Sequence, residues 1–156
     1  MKKSIFILAL AALAMACNNA GRQQDGKRTT EEHTTETATV SADLFGKEWK
    51  LTTLNGEAIV LDTTFNTEPH LIFDEVSSRV AGNGGCNGFG GNLELTAEGG
   101  IGISDIAATQ MACPNLNLEQ RFITVLTNVK SYRIEGNTLV LEGENSETAA
   151  LFEQVN

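Results

Sequence analysis

The sequence predicts an α+β domain: a compact, strongly curved antiparallel β-sheet or partly open barrel with one packed helix. Three observations point there. Short stretches of period-two alternation recur along residues 44–156, glycine and asparagine turn signals separate them, and a single segment changes to a spacing of three and four. In the first stretch Trp49, Leu51 and Thr53 alternate with Lys50 and Thr52 and run into Asn55-Gly56, a hairpin signal because both residues tolerate positive φ. Leu71-Ile72-Phe73 and Arg79-Val80-Ala81 form the next expected pair, around the polar connection 74–78. Leu93 and Leu95 alternate after a glycine-rich section, Ile101 and Ile103 repeat the period after Gly99-Gly100, and Ile106 is expected to begin another short extended segment. Tyr132 and Ile134, the Gly136-Asn137 turn, Leu139 and Leu141, and finally Leu151 and Phe152 complete the set. Each such repeat places apolar side chains on one face of a sheet and polar ones on the other.

Between residues 117 and 129 the period changes. Leu118, Phe122, Val125, Leu126 and Val129 fall on one helical face, with Asn117 as the expected N-cap and Gln120, three positions on, as its capping-box partner. About three turns cannot hide this stripe alone, so the helix is expected to cover the sheet, with Phe122 in the core.

Composition narrows the classes of function. The chain has 156 residues, 11 basic and 20 acidic, for a formal charge of −9. Its opening reads as a secretion signal: Lys2 and Lys3, an apolar run from Ile5 to Ala14, then small residues up to Cys17. That run is too short to cross a bilayer, which needs about 20 apolar residues in helical form. Beyond residue 16, nine basic and twenty acidic side chains remain, a charge of −11. Such a balance excludes a role that depends on neutralising nucleic-acid phosphates.

The segment ending at Cys17 resembles a bacterial lipoprotein signal, in which the final cysteine is acylated and becomes the first residue of the mature protein. Cutting of Leu13-Ala14-Met15-Ala16 by an ordinary signal peptidase is the alternative. Several acyl chains on Cys17 would anchor the protein to a membrane, since each buried methylene contributes roughly 0.8 kcal/mol and stable anchoring takes more than one chain. Asn18 follows Cys17, where aspartate is the common signal for inner-membrane retention, so the expected location is the periplasmic face of an outer membrane, with surface exposure open. Residues 17–43 are expected to form a polar tether. Six of the eleven residues from 29 to 39 are threonine, too little apolar surface to offset the ordering of the backbone. His33 in this spacer is expected to be solvated rather than a metal ligand. The expected organisation is therefore a signal over 1–16, a tether over 17–43 and one domain over 44–156.

Six glycines occupy the ten positions from Gly82 to Gly91, around Cys86, Asn87 and Phe89. They allow positive φ and close backbone approach, so Gly82, Gly84, Gly85, Asn87, Phe89 and Gly91 are expected to build a shaped structural loop, with a ligand-facing loop as the alternative. A phosphate loop is excluded by the missing Gly-Lys-Ser/Thr ending, and a dinucleotide fold by the absence of the spaced glycines and acid in a strand–helix unit. No EF-hand spacing occurs, and the acidic C-terminal side chains Glu142, Glu144, Glu147 and Glu153 are expected to be solvated.

Taken together, Trp49-Lys50-Leu51, Gly82 to Asn87 with Phe89 and Gly91, Thr109-Gln110-Met111-Ala112-Cys113, the Glu119, Phe122 and Leu126 pattern, and the ending Leu139-Val140-Leu141 through Leu151-Phe152 resemble the META domain family of HslJ-like bacterial lipoproteins. The resemblance spans residues 44–155. It implies a compact curved sheet with helical packing, an envelope setting, stress or antibiotic tolerance in some members, and no established catalytic reaction.

With Cys17 assigned to lipid, Cys86 and Cys113 are the two cysteines left for an exported domain, and a structural disulfide is the economical pairing; buried free thiols are the alternative. No Cys-x-x-Cys pair or acid–base constellation accompanies them. A zinc site from Cys86, Cys113 and His70 would lack the usual closely spaced ligand pairs. Met111 is expected to fill irregular core space. Trp49 and Tyr132 are expected to be packed, with a recognition groove as the alternative.

The expectation for function is a non-catalytic envelope lipoprotein, without cofactor or metal. It would support stress tolerance or envelope maintenance through a membrane anchor and an unidentified envelope protein or component. The alternative is a small-ligand or peptide-binding module beside the glycine-rich run, and a hydrolytic or redox enzyme is the third class considered.

Overall fold

The computed structural model describes residues 43–155, so the expected signal, Cys17 and all but the last residue of the expected tether lie outside the described residues. Nine strands and one helix follow in chain order: β1 (Glu48–Leu54), β2 (Glu57–Ala58), β3 (His70–Asp74), β4 (Arg79–Asn83), β5 (Gly88–Leu95), β6 (Ile101–Ala108), α1 (Leu116–Asn128), β7 (Ser131–Glu135), β8 (Thr138–Glu142) and β9 (Thr148–Val155). They form one antiparallel sheet in the order β6-β5-β4-β3-β1-β9-β8-β7, with β2 hairpinned on β1. Two meanders, β3 to β6 and β7 to β9, thus flank the first strand, and every pairing joins strands adjacent in the chain except those of β1 with β3 and with β9.

Helix α1 connects the two edge strands, β6 and β7, and the edges meet beneath it. Gly100 bridges Ser131, the Ile101 amide donates to the Lys130 carbonyl (3.0 Å), and the Tyr132 amide donates to the Gly99 carbonyl (3.0 Å). The result is a strongly curved, partly closed half-barrel with one packed helix, the architecture expected. Curvature is assisted by register shifts between Leu51 and Thr53, Gly90 and Asn92, and Leu141 and Glu142, because an extra residue bends a strand and increases its twist.

The shift in β6 corrects one expectation. Ile106 does not begin a new segment; β6 continues through Asp105, whose φ of 51° marks the irregularity. Opposite it, a Cβ on Gly91 would lie 2.8 Å from the Ser104 carbonyl oxygen and 3.1 Å from the Ile106 side chain, so the bulge closes against a bare glycine.

The inner face carries the alternating residues into one core: Trp49, Leu51, Leu54, Leu71, Phe73, Val80, Phe89, Leu93, Ile101, Ile103, Tyr132, Leu139, Leu141 and Phe152. Phe122 of the helix meets Phe89 edge-on at 5.7 Å between ring centroids and Phe152 at 5.9 Å. Trp49 is fully buried, and its indole Nε1–H donates to the Leu44 carbonyl (3.0 Å), which holds the entering chain against the core. Both it and Tyr132 are packed, so neither lines a recognition groove.

The helix is capped two residues earlier than the expected Asn117. Asn115 is the N-cap, with no hydrogen bond from its side chain into the helix, while its carbonyl accepts the Leu118 and Glu119 amides (3.0 and 3.4 Å). No capping box forms; the first turn is held instead by Glu119, which accepts two hydrogen bonds from Asn87 in the connection between β4 and β5.

Candidate functional site

The glycine-rich run is a hairpin rather than a continuous loop. Gly82 ends β4 with Asn83, Gly88 to Gly91 open β5, and only Gly84, Gly85, Cys86 and Asn87 form the turn. Close approach explains three of its glycines. A Cβ on Gly82 would fall 2.2 Å from the His70 carbonyl oxygen and 2.9 Å from the Phe89 ring; on Gly84, 2.5 Å from Glu119 Cγ; on Gly85, whose φ is +101°, 2.7 Å from both Asn115 Nδ2 and the Phe65 ring.

Asn87, 1% exposed, is the hub of this end of the molecule. Its backbone N–H donates to Glu119 Oε2 (2.8 Å) and its side-chain Nδ2 to Glu119 Oε1 (3.0 Å), so one residue grips both oxygens of a carboxylate. Nδ2 also donates to the Met111 carbonyl (3.3 Å), and Oδ1 accepts the Met111 amide (2.7 Å) and the Thr109 hydroxyl (2.9 Å). The Asn87 carbonyl accepts the Gly84 amide (2.9 Å). The β4–β5 turn, the irregular segment 109–113 and the first turn of α1 are therefore joined through one residue, Asn87. Buried polar groups satisfied in this way add specificity of arrangement, since any competing packing would leave several of them without partners.

The Cys86–Cys113 disulfide links the same elements, with a Cα separation of 6.1 Å. Cys86 is buried, whereas Cys113 is partly exposed and its sulfur accepts a contact from Asn66 Nδ2 at 3.4 Å. Both cysteines being bonded, they cannot serve as zinc ligands with His70, whose ring instead lies 2.8 Å from the Glu68 carbonyl oxygen. Among the described residues no group of His, Cys, Asp and Glu is arranged to hold a metal ion.

Two findings at this site differ from the sequence reading. Met111 is 51% exposed: its backbone, not its side chain, is what the fold uses. Glu119, read only as part of a helix pattern, is 5% exposed and has no basic partner among the ion pairs of the described residues. A signal for its burial was present. Glu119 lies three and seven positions before Phe122 and Leu126, on the apolar face of the helix, where an acid requires a specific partner.

Beside the turn lies an open depression of about 410 Å³, lined by Asn87, Thr109, Met111, Leu116, Glu119 and Gln120, among others. Its rim is exposed and its innermost members are the buried Asn87–Glu119 pair.

A family profile for the META domain matches residues 42–156. The chain belongs to the META domain family. Among solved structures, the META fold seen here is similar to an NMR structure of a protein from Burkholderia xenovorans (20% identity over 74% of this chain and 86% of that one, TM-score 0.59). It is also similar to a second NMR structure of a protein (23% identity, 72% and 92% covered, TM-score 0.55). A crystal structure of a DUF4847 family protein from Bacteroides vulgatus ATCC 8482 is a third (17% identity, 72% and 95% covered, TM-score 0.52). At these identities the likeness is one of fold. No curated protein matches the chain.

Proposed function

We propose that this META-domain protein is a non-catalytic envelope lipoprotein, anchored by acylation at Cys17, which presents a rigid domain on a polar tether to an envelope protein or component and supports envelope maintenance under stress. The observation that carries the proposal is the Cys86–Cys113 disulfide, a bond that persists outside the reducing cytosol and accords with an export signal ending at Cys17. Around that bond the geometry is that of a scaffold. Asn87 of the turn engages Glu119, Met111 and Thr109.

The test compares the chain with a Cys17→Ala variant by membrane fractionation and mass spectrometry of the mature N-terminus. Acylated Cys17 in the outer-membrane fraction, lost on substitution, is the expected result. An unmodified N-terminus in the soluble fraction would reject the placement.

A second reading, a small-ligand or peptide-binding module, is favoured by one specific observation. Although the glycine hairpin itself packs shut at Gly82, Gly84 and Gly85, the neighbouring depression of about 410 Å³ falls in the size range of ligand pockets.

A further inference from the structure

We propose that the depression beside the β4–β5 turn is a subsite for a primary alkylammonium group, of the kind a lysine side chain carries, with the Glu119 carboxylate as its counter-charge. This rests on reading the depression as a binding site and names the chemistry it would take.

Four observations converge on that chemistry. First, Glu119 is almost wholly removed from water, at 5% exposure, yet no lysine, arginine or histidine pairs with it among the described residues. Burying a carboxylate is costly unless a cation or several donors compensate, and the donors here come from Asn87 alone. Second, Glu119 is among the residues that line an open depression, together with Asn87 and Leu116. Third, the hairpin makes room for this group, since any side chain at Gly84 would collide with Glu119 Cγ at 2.5 Å. Fourth, residues 44–156 carry fifteen acidic and six basic side chains, a field that draws cations toward the domain.

The pattern of existing hydrogen bonds selects among cations. Asn87 already spans both carboxylate oxygens, one with its backbone and one with its side chain, so the face that a guanidinium fork would use is taken. An ammonium is a compact point donor and needs a single remaining lone pair. Exposed Gln110 and Gln120 at the rim offer side-chain carbonyls for its other N–H groups. Met111 and Leu116 supply apolar surface along which a four-carbon stem can lie, and the 51% exposure of Met111 leaves that surface accessible.

The sequence contains a reporter. Its three methionines are Met1, Met15 and Met111, and only Met111 falls within the domain. The full chain, detergent-solubilised and labelled at its methionine methyl groups, would be titrated with Nα-acetyl-lysine methylamide and followed by NMR. A saturable shift of the Met111 methyl is expected, weakened by added salt. The norleucine analogue, which keeps the stem and lacks the ammonium, should bind weaker by roughly tenfold or more, the scale of a lost charge-assisted hydrogen bond. Glu119→Gln should produce the same loss. Because that change also disturbs the clamp on Asn87, Gln120→Lys provides a second variant: it places a fixed ammonium at the rim, leaves the clamp intact, and should weaken the lysine probe by a similar factor without lowering the melting temperature. Equal binding of the norleucine analogue overturns the ammonium assignment while leaving the depression a binding site. Equal or tighter binding of the arginine analogue overturns the choice of ammonium over guanidinium. Equal binding of alanine methylamide, whose charge is an N-terminal amine without a stem, overturns the side-chain source. A Met111 signal indifferent to every probe removes both the subsite and the depression as a binding site.

Discussion

At its N-terminal end helix α1 is tied to the sheet by a carboxylate–amide clamp and a disulfide, whereas its middle and C-terminal half hold the sheet mainly through the apolar side chains of Phe122, Val125, Leu126 and Val129, with one exposed ion pair from Arg121 to Glu57 of β2. The apolar half is non-directional: its stabilisation follows the area removed from water, and any sufficiently large apolar side chain of fitting shape could contribute. The polar half is directional. Asn87, Glu119, Thr109 and the Met111 backbone meet at hydrogen-bonding distances that only one arrangement of turn, segment and helix satisfies. One end therefore acts through buried apolar area, and the other sets where the helix starts and how the turn lies against it.

That division can be broken first at Phe122. Phe122→Ala removes a fully buried ring that contacts both Phe89 and Phe152, and is expected to cost about 3–5 kcal/mol, read as a lower denaturation midpoint with an unchanged m-value. A loss below about 1 kcal/mol would mean that the helix is not a main wall of the core.

A slightly smaller effect is expected at the other end. Replacing Cys86 and Cys113 together by alanine should cost about 3–4 kcal/mol, the chain-entropy figure for a closed segment with a separation of 27 residues, and reduction of the wild type should move stability the same way. The Asn87–Glu119 clamp remains in the double variant, so amide chemical shifts away from the two sites should be preserved. Widespread shifts around Thr109 and Leu116 would show that the disulfide positions this end instead of merely restricting the unfolded chain.

The smallest expected effect concerns the seam where the sheet edges meet. Burial pushes the Tyr132 hydroxyl above its ordinary value of 10.0, because the phenolate is poorly solvated there. A group whose folded pKa is raised contributes stability that is fully present below the unfolded value and is lost as pH rises through the folded one. Stability should therefore fall at pH above about 10 by an increment that Tyr132→Phe abolishes, measured by denaturation at pH 8 and 11. An identical alkaline loss in the Phe variant would assign the effect to other groups.

Much of this molecule was legible in its residues. The alternation at Trp49 and Leu51, Leu71 and Phe73, and Leu139 and Leu141 marked strands because a pleated backbone repeats every two residues, and those positions do face the core. The stripe of Phe122, Val125 and Leu126 marked the helix for the same kind of local reason. Where local pattern was silent, expectation and structure part. Asn117 has the right chemistry for a cap, but the chain turns into the helix at Asn115, since Glu119 must reach Asn87 across 32 residues of sequence. Met111 looked like a gap-filler, and its place is decided by Asn87, 24 residues earlier, which holds its backbone and leaves its side chain exposed.

Periodicity and composition by themselves determined the α+β class, the single helix, the hairpin turns and the acidic character of the domain, because each depends on neighbours within a few positions or on simple counts. Only the tertiary structure decided that β1 would sit between two meanders, that the edge strands would meet at Gly100 and Ser131, and that Glu119 would lie buried under a glycine turn. These depend on which distant segments share a space. A carboxylate at the surface and one gripped by an amide in the interior are spelled with the same letter, and their difference is made by solvation, which the packed chain controls.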